Sequence, residues 1–185
     1  MRRSRRERER RRTRTRAACG RRHEVPLALA RIARQREQLE RAEQAFERIQ
    51  GDALDAGLEV LTLETKLELG LCAWRREDTQ GALQAFSEVR KAARGNLFFL
   101  EFYAALGEAW AYVTTQEWDR AQISLFQAES LRADVRYRNE ELEQLRLSIK
   151  AWARHYQRLD LLSQLERLSD LSLNRTTHQS DNHIF

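Results

Sequence analysis

The chain has 185 residues, 42% of them hydrophobic and 33% charged, which is enough apolar content for one domain with a buried core. No apolar run reaches the roughly 18 residues that cross a bilayer, and the arginine-dense start lacks the apolar stretch of a secretory signal, so the sequence excludes a membrane partner and predicts a cytoplasmic protein. The net charge of +5 is split: residues 1–22 hold twelve Arg against Glu7 and Glu9, a net of +10, which leaves −5 for the rest.

Residues 1–24 have no apolar periodicity, and like charges packed this densely predict a disordered arm. Arg2, Arg3, Arg5, Arg6, Arg8, Arg10, Arg11, Arg12, Arg14 and Arg16 are candidates for contact with nucleic acid. Such contact works by counterion release and weakens steeply with salt. Residues 1–24 include no Phe, Tyr or Trp for base stacking, so binding through 1–22 is expected to be blind to sequence. Two alternatives stand beside this one. Val25 opens the structured part, so the arm can be the product of an over-extended gene start; otherwise it is a solvated tail with another role.

A helical domain is expected over 25–172, followed by a polar C-terminal tail over 173–185. Pro26 suits a first helical turn. Residues 26–50 read as one amphipathic helix in which Ile32, Leu39 and Phe46 recur every seven residues, with Ala28, Ala42 and Ile49 on the same seam. That seam packs on the next helix or forms a homodimer. Gly51 reads as its stop and Asp52 as the cap of a second helix over 52–75. The stretch 58–71 partly alternates, which leaves a strand as the competing reading. Short helices are expected at about 79–94 and 118–132, with Thr79 as a cap for the first, and an aromatic helix at about 97–115, capped by Asn96. A long helix follows over 135–157, then a short one over about 160–171.

Two segments repeat. Leu69-Gly70 is followed by Ala82, Phe86 and Val89; Tyr112 is followed by Ala121, Leu125, Ala128 and Ala133, and the two alanines 82 and 121 lie 39 residues apart. In this form the chain resembles the tetratricopeptide repeat family over about residues 62–133. Leu69, Gly70, Ala82 and Phe86 match one copy; Tyr112, Ala121, Leu125 and Ala128 match the next. Ala73 and Ala109 depart from the family's aromatic and glycine, and no proline closes either copy. The resemblance implies antiparallel helix pairs stacked in a short right-handed superhelical solenoid. It also implies a concave groove lined by the first helix of each pair, at Leu67, Leu71 and Trp74 and at Tyr103, Leu106, Trp110 and Val113. Its expected partner is another protein, presented as a peptide or a helix.

No enzyme is expected. His23, His155, His178 and His183 form no ligand set, no glycine-rich phosphate loop follows a strand, and Cys19 and Cys72 read as free thiols in a reducing compartment. No cofactor is expected. The two leading functions are a protein-binding scaffold and, alternatively, a nucleic-acid-associated regulator that grips phosphate with its arm.

Overall fold

The structure, a computed structural model, describes residues 23–131 and 140–163, without the side chains of 140–145. The arginine arm, the C-terminal tail, Cys19, His178 and His183 lie outside the described residues. Eight helices are described: α1 (23–35), α2 (Leu39–Asp55), α3 (Glu59–Arg75), α4 (Thr79–Ala93), α5 (Phe98–Thr114), α6 (Trp118–Leu131), α7 (Glu140–His155) and α8 (159–163). No strand occurs among the described residues, so the alternating stretch 58–71 belongs to helix α3. No described helix is long and apolar enough to cross a membrane.

The described residues form two compact units that divide between residues 85 and 86. In the first, α2 packs on α3, and the core joins Leu27, Ala30 and Ala33 of α1 to Ala42, Phe46 and Ile49 of α2 and Cys72 of α3. In the second, α5 packs against both α6 and α7. Helix α5 is buried from Tyr103 through Ala111 and again at Val113.

One sequence pattern recurs on α2, α4 and α6. An alanine is followed four residues on by a large side chain and three further on by a smaller one: Ala42, Phe46, Ile49; Ala82, Phe86, Val89; Ala121, Leu125, Ala128. All nine are buried, and the starting alanines at 42, 82 and 121 are spaced 40 and 39 residues. The spacing of four and three puts each trio on one helix face, and the small residue lets a neighbouring helix approach.

The same period appears in the turns. Glu37, Glu77, Gln116 and Gln157 all take left-handed backbone, with φ of 60°, 61°, 61° and 54°. Each ends a helix in the same way. The Gln38 N–H donates to the Ala33 carbonyl at 2.9 Å while the Glu37 N–H donates to Arg34 at 3.0 Å. The equivalent longer bonds run from Asp78 to Ala73, Glu117 to Tyr112 and Arg158 to Ala153. These two bonds satisfy carbonyls that a helix end leaves open, which is the Schellman arrangement. Gly57 and Gly95 hold the corresponding left-handed position in the other two described turns.

These turns correct the expected boundaries. The 26–50 stretch is two helices, broken at residues 36–38, so the heptad seam is not continuous. Gly51 and Asp52 lie inside α2, whose end comes at residues 56–58. Helix α4 is capped by Asp78 rather than Thr79: its Oδ1 accepts the Gly81 N–H at 2.9 Å. Helix α5 starts after Leu97, with no side-chain cap.

Gly51 therefore sits mid-helix and exposed, and a Cβ there would meet nothing within 4 Å. Gly51→Ala should stabilise the protein by about 1 kcal/mol, the difference in helix propensity. Urea denaturation measures this, and a loss of stability would mean that the backbone at residue 51 is not helical in solution.

Candidate functional site

Of the seven groove candidates, Leu67 and Leu71 on α3 and Tyr103, Leu106, Trp110 and Val113 on α5 are buried within the chain. Trp74 is half-buried at the end of α3, with the Arg75 guanidinium 5.1 Å from its ring centre. At spacings of three and four residues the candidates share one face of each helix. That face serves the core.

The buried interior also holds charge. On α1, Arg34 is 1% exposed and its Nη2 donates to Glu68 Oε2 of α3 at 2.5 Å; Glu68 itself is 2% exposed. Arg31 donates from Nε to Glu68 Oε1 at 2.5 Å and from Nη2 to Glu64 Oε1 at 2.6 Å. Burial works to lower the Arg31 pKa, but Glu68 and Glu64 together outweigh it and raise it. In the second unit, Arg90 Nε lies 2.6 Å from buried Glu108 Oε2, an ion contact without an aligned hydrogen bond, and Arg90 Nη1 donates to Gln127 Oε1 at 2.8 Å. These pairs join α1 to α3 and α4 to α5, and the burial of Arg34, Glu68 and Glu108 gives them a structural role rather than acid–base chemistry.

An aromatic corner forms where the 115–117 and 156–158 turns come together. Trp152 and Tyr156 stack with centres 5.6 Å apart, Trp118 lies 5.1 Å from Tyr156, and Gln116 Nε2 donates to the Tyr156 hydroxyl at 3.3 Å. Arg158 covers the Trp118 ring at 5.1 Å and is held by two bonds to Asp160, at 3.0 and 2.7 Å. The hydrogen bonds from Arg158 keep the Asp160 carboxyl below its ordinary pKa. With its cation already neutralised, the corner reads as a packed joint. His155 borders it, 4.9 Å from Tyr156, beside a shallow notch shared with Ala151 and Trp152. Among the described residues, no three His, Cys, Asp or Glu side chains converge as a metal site, and Cys72 is buried.

The outer face of α6 differs from those of its counterparts. Two and five residues after the buried alanine, α2 carries Gln44 and Glu47, and α4 carries Gln84 and Ser87. On α6 the same two positions are Ile123, 58% exposed, and Phe126, 63% exposed. They are three residues apart and lie side by side on the helix. Sequence reading missed them because α6 was considered only for its inward face. Superimposing the three alanine patterns exposes the change directly. No family model, curated protein or solved structure matches this chain.

Proposed function

We propose that this chain is a protein–protein interaction scaffold of tetratricopeptide-like helix pairs that binds a partner peptide or helix. The observation that carries this reading is the exposed Ile123–Phe126 pair, standing where the two equivalent helices carry polar or charged side chains. Leaving a phenylalanine and an isoleucine in water forgoes about 1.5–3 kcal/mol of burial each, which a partner recovers on binding. An aromatic beside an aliphatic at helical spacing matches the apolar stripe of an amphipathic helix. This reading puts the contact on the outer face of α6, because six of the seven groove candidates are buried within the chain.

The test is selection of helical peptides from a display library on the wild-type chain, with counter-selection on the Ile123→Asp/Phe126→Asp variant. Peptides recovered in this way should lose at least about tenfold in affinity to the Phe126→Asp single variant, as expected for an aromatic interface anchor. The thermal midpoint should stay unchanged, since neither side chain is in the core. Peptides that bind both proteins equally would remove this surface from the proposal.

A further inference from the structure

The left-handed turns fix a register among the first helices of the pairs, so each position on α1 has counterparts on α3, α5 and α7. Val25, Leu29 and Ile32 lie twelve, eight and five residues before Glu37. Counting back in the same way from Glu77 gives Thr65, Leu69 and Cys72; from Gln116 it gives Ala104, Glu108 and Ala111. Thr65, Cys72, Ala104, Glu108 and Ala111 are buried, and Leu69 is half-buried. On α7 the counterparts of Leu29 and Ile32 are Ile149, buried, and Trp152, half-buried. On α3 the cover is visible: Cys72 and Leu69 sit in the core built by α1 and α2. On α3 this is therefore the side turned toward the helix pair before it, and on α5 and α7 the same positions are covered as well.

On α1 that side is open. Val25 is 67% exposed, Leu29 60% and Ile32 42%, so three large apolar residues line up on one exposed face. Pro26, Ala28 and Gln35 complete the exposed face, so it bears no charge from 25 to 35. The only charged side chains in that span, Arg31 and Arg34, are bound to Glu64 and Glu68 on the other side of the helix. Residues 1–22 supply twelve arginines and almost no apolar side chains to cover it.

We infer that this stripe is a two-fold interface between two copies of the chain. The spacing is nearly symmetric about Leu29, with Val25 four residues before it and Ile32 three after. Antiparallel pairing of two α1 helices sets Leu29 on Leu29 of the second copy and Val25 on its Ile32. One patch meets itself, as a closed dimer requires, and between residues 25 and 35 its exposed face sets no charge against the second copy. The pairing takes place where a preceding helix pair would pack. It differs from a dimer through a continuous 26–50 seam, because Ala42, Phe46 and Ile49 are already buried inside the chain. It is also independent of the α6 surface.

Sedimentation equilibrium of the full chain, from micromolar to hundreds of micromolar, should show a monomer–dimer equilibrium. Leu29→Glu places two carboxylates at the symmetry centre and should weaken the dimer about 100-fold or more, with helical content unchanged and the same thermal midpoint as the wild type at a concentration where the wild type is monomeric. In a Cys19→Ser background, Leu29→Cys should cross-link to itself under air oxidation with a copper catalyst, whereas exposed Val60→Cys should not. A monomer at every concentration overturns the inference, as does a dimer that survives Leu29→Glu or equal cross-linking at residue 60.

Discussion

Glu68→Ala should destabilise the protein by about 3–5 kcal/mol, the cost of breaking a buried ion pair from one side. Glu68 accepts from both Arg31 and Arg34, and Arg34 is 1% exposed, so its charge cannot turn to water when this carboxylate is lost. Arg31 keeps Glu64 and is about one-third exposed, so it contributes little to the loss. The exposed pair between Arg76 and Glu43, also in the first unit, provides the contrast. Arg76→Ala should cost under about 1 kcal/mol, because solvent screens both charges. Replacing Arg34 and Glu68 together, as Arg34→Met/Glu68→Leu, should restore most of the stability, since an apolar pair of similar size removes both desolvation penalties. Urea denaturation of the four proteins decides it. A Glu68→Ala cost near that of Arg76→Ala would mean that water reaches Arg34.

The sequence carried the helices more clearly than the joints between them. The alternation of buried faces was legible because spacings of three and four put Ala82, Phe86 and Val89 on one side regardless of what they touch. The break at 36–38 was not legible. Its left-handed residue is Glu37, held by the two Schellman bonds rather than by a glycine, so composition gives no signal. By chance the turn also preserves a seven-residue spacing across it. Ile32 is exposed, Leu39 half-buried and Phe46 fully buried, three environments that a single coiled-coil seam would not produce. Gly51 misled in the other direction, as a helix-interior glycine with no turn to make. The signal that would have found the break is the 40-residue period itself, since Ala42, Phe46 and Ile49 repeat Ala82, Phe86 and Val89. Six of the seven groove candidates fall in the core for a related reason. Periodicity finds an apolar face but cannot say whether a neighbouring helix of the same chain or a partner covers it. Helix α5, enclosed along most of its length, is the case where that distinction decides the reading.

Gly107→Ala should be destabilising by about 1–2 kcal/mol even though alanine favours a helix by about 1 kcal/mol over glycine. A Cβ at residue 107 would come within 2.5 Å of Phe86 Cδ2 and 2.6 Å of its Cγ, distances no packed pair tolerates. The Phe86 ring is fully buried, and the atoms it would meet are at the root of the ring, so a small rotation of its tip does not relieve the clash. The large residue of the alanine pattern on α4 thus rests on the bare backbone of α5. Removing that ring should cost more still: Phe86→Ala leaves a cavity against Gly107 and should lose about 3–5 kcal/mol. The two effects are coupled in a defined direction. In a Phe86→Ala background the whole ring is gone, Cγ and Cδ2 included, and Gly107→Ala should cost less than in the wild type, with a coupling of about 0.5–3 kcal/mol from the double-mutant cycle. If the two changes instead add independently, the ring and the glycine are not in contact in solution. In that case the recurring large residue at Phe46, Phe86 and Leu125 fills its own helix pair rather than binding one helix pair to the next.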